Sequence, residues 1–332
     1  MIDLIQKLSG IYGPSGNEEL VSEAIRKEIE SYVDEIDIDV MGNLIAVKKG
    51  TGDGKRVMLA AHMDQIGLMV THIDEKGFLR FANLGGISVA NSICRRVVFK
   101  NGTVGVIGYE TELNSWKDIT LSKMYIDIGA SDREEAERLV KIGDVAVYHS
   151  LFSASNGKYI GGAMDDRAGC ALLVKTIKSI GDTHNDLYFV FTVQEELGLR
   201  GAKTSAYALE PDLAIAVDVT ATGDTPKSKP MAVSLGGGPA IKIKDASVLA
   251  HPKVKELMIK TAQKHGIPYQ LEILEYGGTD SGAIHLSRGG VPSGVLSIPC
   301  RYVHSDSETI DADDMDNGVK LLARILEEDI NI

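Results

Sequence analysis

Four short apolar runs in this chain each stop at an acid or a histidine. Residues 56–61 lead into His62 and Asp64, and residues 187–193 into Glu195 and Glu196. Residues 213–217 lead into Asp218, and residues 294–298 pass through Pro299 and Cys300 towards His304. Runs of this length, rich in β-branched and aromatic side chains, read as strands. Strands apolar on both faces suit a parallel sheet covered by helices on both sides. No other feature narrows the fold as much. In an open α/β sheet the carboxyl ends of the strands face one crevice, so residues far apart in sequence become neighbours there.

The chain changes texture twice. Residues 1 to about 68 read as two helices followed by strands at about 35–49 and 56–61. The turn Gly13-Pro14-Ser15-Gly16-Asn17 offers Ser15 or Asn17 as the cap of a helix whose Val21, Ala24, Ile25, Ile29 and Tyr32 form one apolar stripe. From about 69 to 159 the pattern turns to short alternating strands punctuated by glycine. Asn101-Gly102, between 97–100 and 103–106, is a two-residue hairpin signal. One helix is expected there, near 131–141, with Ser131 as its cap and Glu134 three residues on. After about 160 strand and helix alternate again, with helices at 166–180, 252–264 and 312–327. The expected fold is α/β: a mixed, largely parallel sheet with helices on both faces, made by residues 1–68 and 160–332 and interrupted by a small all-β, barrel-like insertion at 69–159.

Imidazole and carboxylate together suit zinc, cobalt or manganese, and a bridging carboxylate can hold two such ions about 3.5–4 Å apart. His62 and Asp64 share a strand face, so Asp64 can hold the second ring nitrogen of His62 and fix its tautomer. A surface histidine beside an aspartate would look the same. Asp165 and Asp166 follow a glycine pair and open an apolar helix. Capping accounts for Asp166 and leaves Asp165 as a candidate bridge. Of Glu195 and Glu196, one can bind metal while the other takes a proton from water, although charged strand ends are common. Asp218 closes an apolar strand, where a buried carboxylate without a cation is costly. His285, after Gly277-Gly278-Thr279-Asp280, is the main competitor to His304. Together these residues point to a dinuclear metallohydrolase. Glycine lets backbone approach a ligand closely, so the loops at 236–238 and 277–280 are candidates for lining its cleft, above all Gly237, Gly278, Thr279 and Asp280.

Composition removes several other classes. With 332 residues, 44% of them hydrophobic, the chain is long enough for a full core and two domains. A formal charge of −12, with no stripe of lysine and arginine, argues against a nucleic-acid surface. Cys94, Cys170 and Cys300 have no CxxC spacing, so neither a disulfide framework nor a thiolate zinc site is indicated. No membrane span or signal peptide is visible, and a cytoplasmic protein is expected.

The segments AHMDQIG (61–67), GGAMDDRAG (161–169), VQEELGLRGA (193–202), AVDVTATGD (216–224), GGTDSGAIH (277–285) and IPCRYVHS (298–305), in that order and spacing, resemble the cytosolic dimetal aminopeptidases that assemble as tetrahedral (TET) dodecamers. That family includes glutamyl, leucyl and lysyl aminopeptidases and relatives labelled endoglucanases. The likeness spans essentially the whole chain and departs at no metal or catalytic position. It implies removal of N-terminal residues from short peptides with a free N-terminus, using two divalent ions per subunit, zinc or cobalt, with manganese as the alternative. One ion would be held by His62 and Asp218, the other by Glu196 and His304, with Asp165 bridging. Glu195 would be the general base and acid, and Asp64 the partner of His62. The insertion would be a dimerisation domain, and dimers would build a hollow dodecamer. The residues alone leave three other readings open. A dipeptidase or carboxypeptidase of the same clan must hold a free carboxylate, and Arg167 and Arg301 stand near the motifs. A glucan hydrolase would leave both histidines unexplained. A metal-stabilised scaffold would more often be cysteine-rich.

Overall fold

The computed structural model describes residues 1–112 and 115–330. Asp186–Thr192, Arg56–His62, Leu213–Thr220 and Ser293–Arg301 lie side by side in that order, every neighbouring pair parallel, at the centre of an eleven-stranded sheet. All eight residues of Leu213–Thr220 are buried, which is why such strands read as unbroken apolar runs. Antiparallel strands complete the sheet. Leu44–Lys48 and Glu35–Ile38 lie on one side, and Glu308–Asp311, Lys158–Gly161 and Ser153–Ser155 on the other. Ala240–Lys244, carrying Gln270–Ile273, pairs with Ser293–Arg301 as well.

Side chains alternate across the sheet, so each central strand feeds two cores. Val57, Leu59 and Ala61 enter the main core, whereas Met58 and Ala60 enter a smaller cluster with Ala202 and Ala206 of the helix Arg200–Leu209. The main core is dominated by the helix Met164–Ser179, buried at every residue from Met164 to Val174. The closing helix Ala312–Glu327 packs on it at Gly318, where a Cβ would stand only 2.6 Å from Leu172 Cδ1. Glycine is what lets the two helices touch. Leu172 and Leu173 are fully buried, and each contributes about 1.5–3 kcal/mol of transfer free energy.

The insertion is a closed barrel of six antiparallel strands. Around it run Gly67–Ile73, Leu79–Leu84, Met124–Asp127, Val104–Tyr109, Arg96–Phe99 and Val145–Tyr148, the last pairing back to the first. Leu68, Val70, Leu79, Phe81, Val97, Ile107 and Ile126 fill its interior. The composition-based bounds of 69–159 run too far. Ser153–Ser155 and Lys158–Gly161 pair towards Glu308–Asp311 and so belong to the main sheet.

Other local details also differ from the sequence reading. The helix Glu19–Ile29 has no side-chain cap: Glu18 stands at the cap position with its carboxylate accepting from Gly16 N and Gln194 N, the Ser15 hydroxyl donates to Asp64, and Tyr32 lies beyond the helix end. Asp132, not Ser131, caps Arg133–Leu139. Its side chain accepts from Glu135 N while the Glu135 carboxylate accepts from Ser131 N, so the cap stands one residue later than expected and the return bond falls on the residue before it, not on the cap's own N–H as in a capping box. The hairpin loop holds three residues, Lys100 to Gly102, with Gly102 in the left-handed region. The insertion also contains a short helical turn, Val89–Ser92. None of the described helices is long and apolar enough to cross a membrane.

Candidate metal centre

The four parallel strands deliver their terminal residues to one edge, at the point where strand order reverses about Arg56–His62. His62 ends its strand with Nε2 3.0 Å from Asp165 Oδ1 and 3.8 Å from Asp218 Oδ1. His304 Nε2 lies 3.2 Å from the other Asp165 oxygen, Oδ2, and 3.1 Å from Glu196 Oε1. One carboxylate therefore reaches towards both imidazoles. Glu195 lines the same cleft, with Oε2 4.0 Å from His62 Nε2. Atoms of Asp165, Glu196 and His304 lie within 4.8 Å of one another, as do atoms of His62, Asp166 and Asp218. Asp166 has other work there. Its carboxylate accepts from Gly169 N at 2.9 Å and His62 N at 3.3 Å, tying the start of the helix to the end of the strand.

The surroundings hold these groups in place. Asp64 accepts from Glu195 N, Glu196 N and the Ser15 hydroxyl, and its Oδ1 lies 3.5 Å from His62 Nδ1. The nearer partner of Nδ1 is the Asp64 carbonyl oxygen, at 3.0 Å. Ala163, Gln194, Leu199, Tyr302 and His304 all have left-handed backbone, although none is glycine. Each costs about 1–3 kcal/mol and persists only where its neighbours enforce it. One enforcer escaped the sequence reading. Glu308, buried, accepts from His304 N at 2.7 Å and Asp165 N at 3.1 Å, and so spaces the second imidazole from the shared carboxylate. The barrel closes over the same side. A Cβ on Gly85 would meet Glu196 Oε2 at 2.6 Å, and one on Gly86 would meet His304 Nδ1 at 2.7 Å.

The charge balance tests whether cations fit. Burial, reinforced by neighbouring carboxylates, pushes Asp166, Glu195 and Asp218 far above the usual carboxylate range. Burial lifts Asp280, behind them, to about 6. Burial also opposes ionisation of Asp165, but hydrogen bonds to His304 and His62 outweigh it and hold the group down. This much acid around two imidazoles needs further positive charge to be ionised near neutrality. Imidazoles and carboxylates without a thiolate are a donor set for divalent zinc, cobalt or manganese. The residues fit such ions.

A cavity of about 670 Å³ opens in front of the centre, bordered by Leu199, Val219, Thr222, Tyr276 and Val303. Gly278 lines it. Gly237, Thr279 and Asp280 do not. The amides on either side of Gly237 donate to Asp314, which pins that loop to the closing helix. Asp280 is buried behind the strands, its Oδ2 accepting from Thr192 Oγ1 at 2.5 Å. His285 pairs Nδ1 with Ser281 O and takes no part. Neither arginine is free to grip a substrate carboxylate. Arg167 is fully buried and donates to the carbonyls of Leu8, Ile11, Gly13 and Met63, while Arg301 is paired with Asp224.

A family model described as M42 glutamyl aminopeptidase matches residues 42–321. The chain belongs to the M42 aminopeptidase family. This M42 aminopeptidase is 58% identical over 326 residues, 98% of both chains, to a protein of Acetivibrio thermocellus. Its structure matches aminopeptidase APDkam598 from the archaeon Desulfurococcus kamchatkensis with a TM-score of 0.95 at 40% identity, over 98% of this chain and 94% of that one. It also matches the Pyrococcus horikoshii TET1 peptidase, described as able to assemble into a tetrahedron or a large octahedral shell. There the TM-score is 0.87 at 37% identity, over 98% and 99% of the two chains. The M42 aminopeptidase is thus a metal-dependent peptide hydrolase that removes N-terminal residues.

Proposed function

We propose that this aminopeptidase works with two divalent ions per subunit, zinc or cobalt, one held by His62 and Asp218 and the other by Glu196 and His304, with Asp165 shared between them. The observation that carries the reading is Asp165 itself, with one oxygen towards each imidazole. Bound there, the cations supply Lewis acidity, which makes water more acidic and polarises the scissile carbonyl.

The chain's own groups do the rest. Glu195, beside the ligands but paired to neither imidazole as closely as Asp165 or Glu196 is, takes the proton from the attacking water and returns it to the leaving amine. Asp64 orients His62 and, by accepting from both glutamate amides, also sets the direction of Glu195 and Glu196. With Arg167 and Arg301 committed elsewhere, the cleft suits a substrate with a free amine better than one with a free carboxylate. Glu195→Gln should retain both ions by metal analysis and lose most activity. Near wild-type turnover by that variant would remove Glu195 from its role.

The likeness to a shell-forming peptidase supports self-association of this chain too, with the barrel at 67–148 as the dimer contact and dimers building a hollow dodecamer in the cytoplasm that admits short peptides. Light scattering coupled to size exclusion tests this directly. A monomer at micromolar concentration would oppose it.

A further inference from the structure

Apart from the candidate ligands, Glu195 and Arg301, the cleft is walled by uncharged side chains, among them Leu199, Val219, Leu274, Tyr276 and Val303. One further cation, Arg301, stands among the described lining residues, and it is not free. Its Nε donates to Asp224 Oδ1 at 2.9 Å and its Nη2 to Asp224 Oδ2 at 2.7 Å, a two-pronged pair. Asp224 is fixed in turn by the Thr222 hydroxyl at 2.7 Å and Leu235 N at 3.0 Å. Lys229 lies over the ring of Tyr276, in the neighbouring groove with Met231 and Ile273.

Asp224, which does not itself line the cleft, neutralises the one charged group among the described lining residues that is neither a candidate ligand nor Glu195. An incoming glutamate would meet a guanidinium whose fork is already filled, and an incoming lysine would find Asp224 taken up by that same guanidinium. Either would give up its water without a partner, which is costly for any charge. An apolar side chain gives up nothing comparable and gains contact with the wall.

We propose that the Arg301–Asp224 pair sets the specificity of the cleft, restricting the first substrate residue to uncharged, chiefly apolar side chains, although the family is described by glutamyl cleavage. The inference rests on the aminopeptidase reading above and deepens it. Its corollary is that breaking the pair from one side or the other turns the preference in opposite directions.

The test measures kcat/KM for free-amine leucyl, glutamyl and lysyl p-nitroanilides with the metal-loaded enzyme. Wild type should favour leucine about tenfold or more over both charged residues. Asp224→Asn, which releases Arg301, should raise the glutamyl-to-leucyl ratio about tenfold. Arg301→Gln, which releases Asp224, should raise the lysyl-to-leucyl ratio by a similar factor. Wild-type preference for a charged residue, or both ratios unchanged in the variants, overturns the proposal. If Asp224→Asn loses its circular dichroism spectrum, Arg301→Gln decides alone, since it leaves the bonds of Asp224 to Thr222 and Leu235 in place. No cleavage of any of the three substrates by wild type would instead strike the aminopeptidase reading itself.

Discussion

Glu308→Gln isolates how the polypeptide presents its metal donors. In the native protein one carboxylate accepts from two backbone amides, His304 N and Asp165 N, so the second imidazole and the shared carboxylate are spaced by a single side chain. Glutamine has one acceptor oxygen. The variant can satisfy one amide but must aim an NH2 group at the other, losing one hydrogen bond and leaving a buried amide unsatisfied, about 1–3 kcal/mol. If that loss falls on ligand placement, metal affinity drops about 10- to 100-fold, the range typical for groups behind a ligand. Chelator competition with zinc or cobalt measures it, and the thermal midpoint of the metal-free protein serves as control. A fall in affinity with a near-native metal-free midpoint is the expected result. Affinity within about threefold of wild type would refute the argument, because the site would then not depend on that spacing.

Gly86→Val should push its Cβ into His304 and cost the ion on that side, so metal analysis should find one ion per chain against the two proposed for wild type; full occupancy would contradict the close approach. Chelation should abolish activity and leave the far-ultraviolet circular dichroism intact, because the main core is built from apolar side chains and not from the site; global unfolding would favour a scaffold role. Glu28 accepts from Lys178 and Lys7, which hold its carboxyl down to about 2. A depressed folded-state value stabilises above the unfolded value of about 4.3 and loses that contribution as pH falls towards 2. Glu28→Gln should therefore melt slightly below wild type at pH 7, with a gap that closes between about pH 4.5 and 2; the effect is small because the cluster is partly exposed. A gap that widens on acidification would reverse the sign of the argument.

What the sequence revealed, it revealed through burial. Leu213–Thr220 is covered on both faces, so it spells an uninterrupted apolar run, and the acid within it, Asp218, stands out against that background. His62 and Glu195–Glu196 stand out in the same way. Glu308 is as deeply buried, but its strand, Glu308–Asp311, is four residues long and begins and ends with an acid, so nothing in its text separates it from a surface turn. Arg167 was legible as an arginine near a motif. Its use, four backbone carbonyls from two distant segments, depends on tertiary proximity that no local pattern encodes. Gly237 failed as a cleft residue for a related reason: a glycine run signals close approach but not what approaches, which here is the Asp314 carboxylate and Gln270. The end of the insertion was misjudged because Ser153–Ser155 and Lys158–Gly161 are short strands of the same texture as the barrel's own.

The loop that follows the barrel strand Leu79–Leu84 lays Gly85 and Gly86 directly over Glu196 and His304. The inserted module is therefore not an accessory that could be trimmed to give a smaller enzyme. Splicing residue 66 to residue 149 would leave every proposed ligand in the chain, yet it would strip the lid from one side of the pair and open His304, already partly exposed, further to solvent. The two modules are separable on paper and inseparable in operation, so recombining barrels among relatives should exchange catalytic character along with whatever surface the barrel presents.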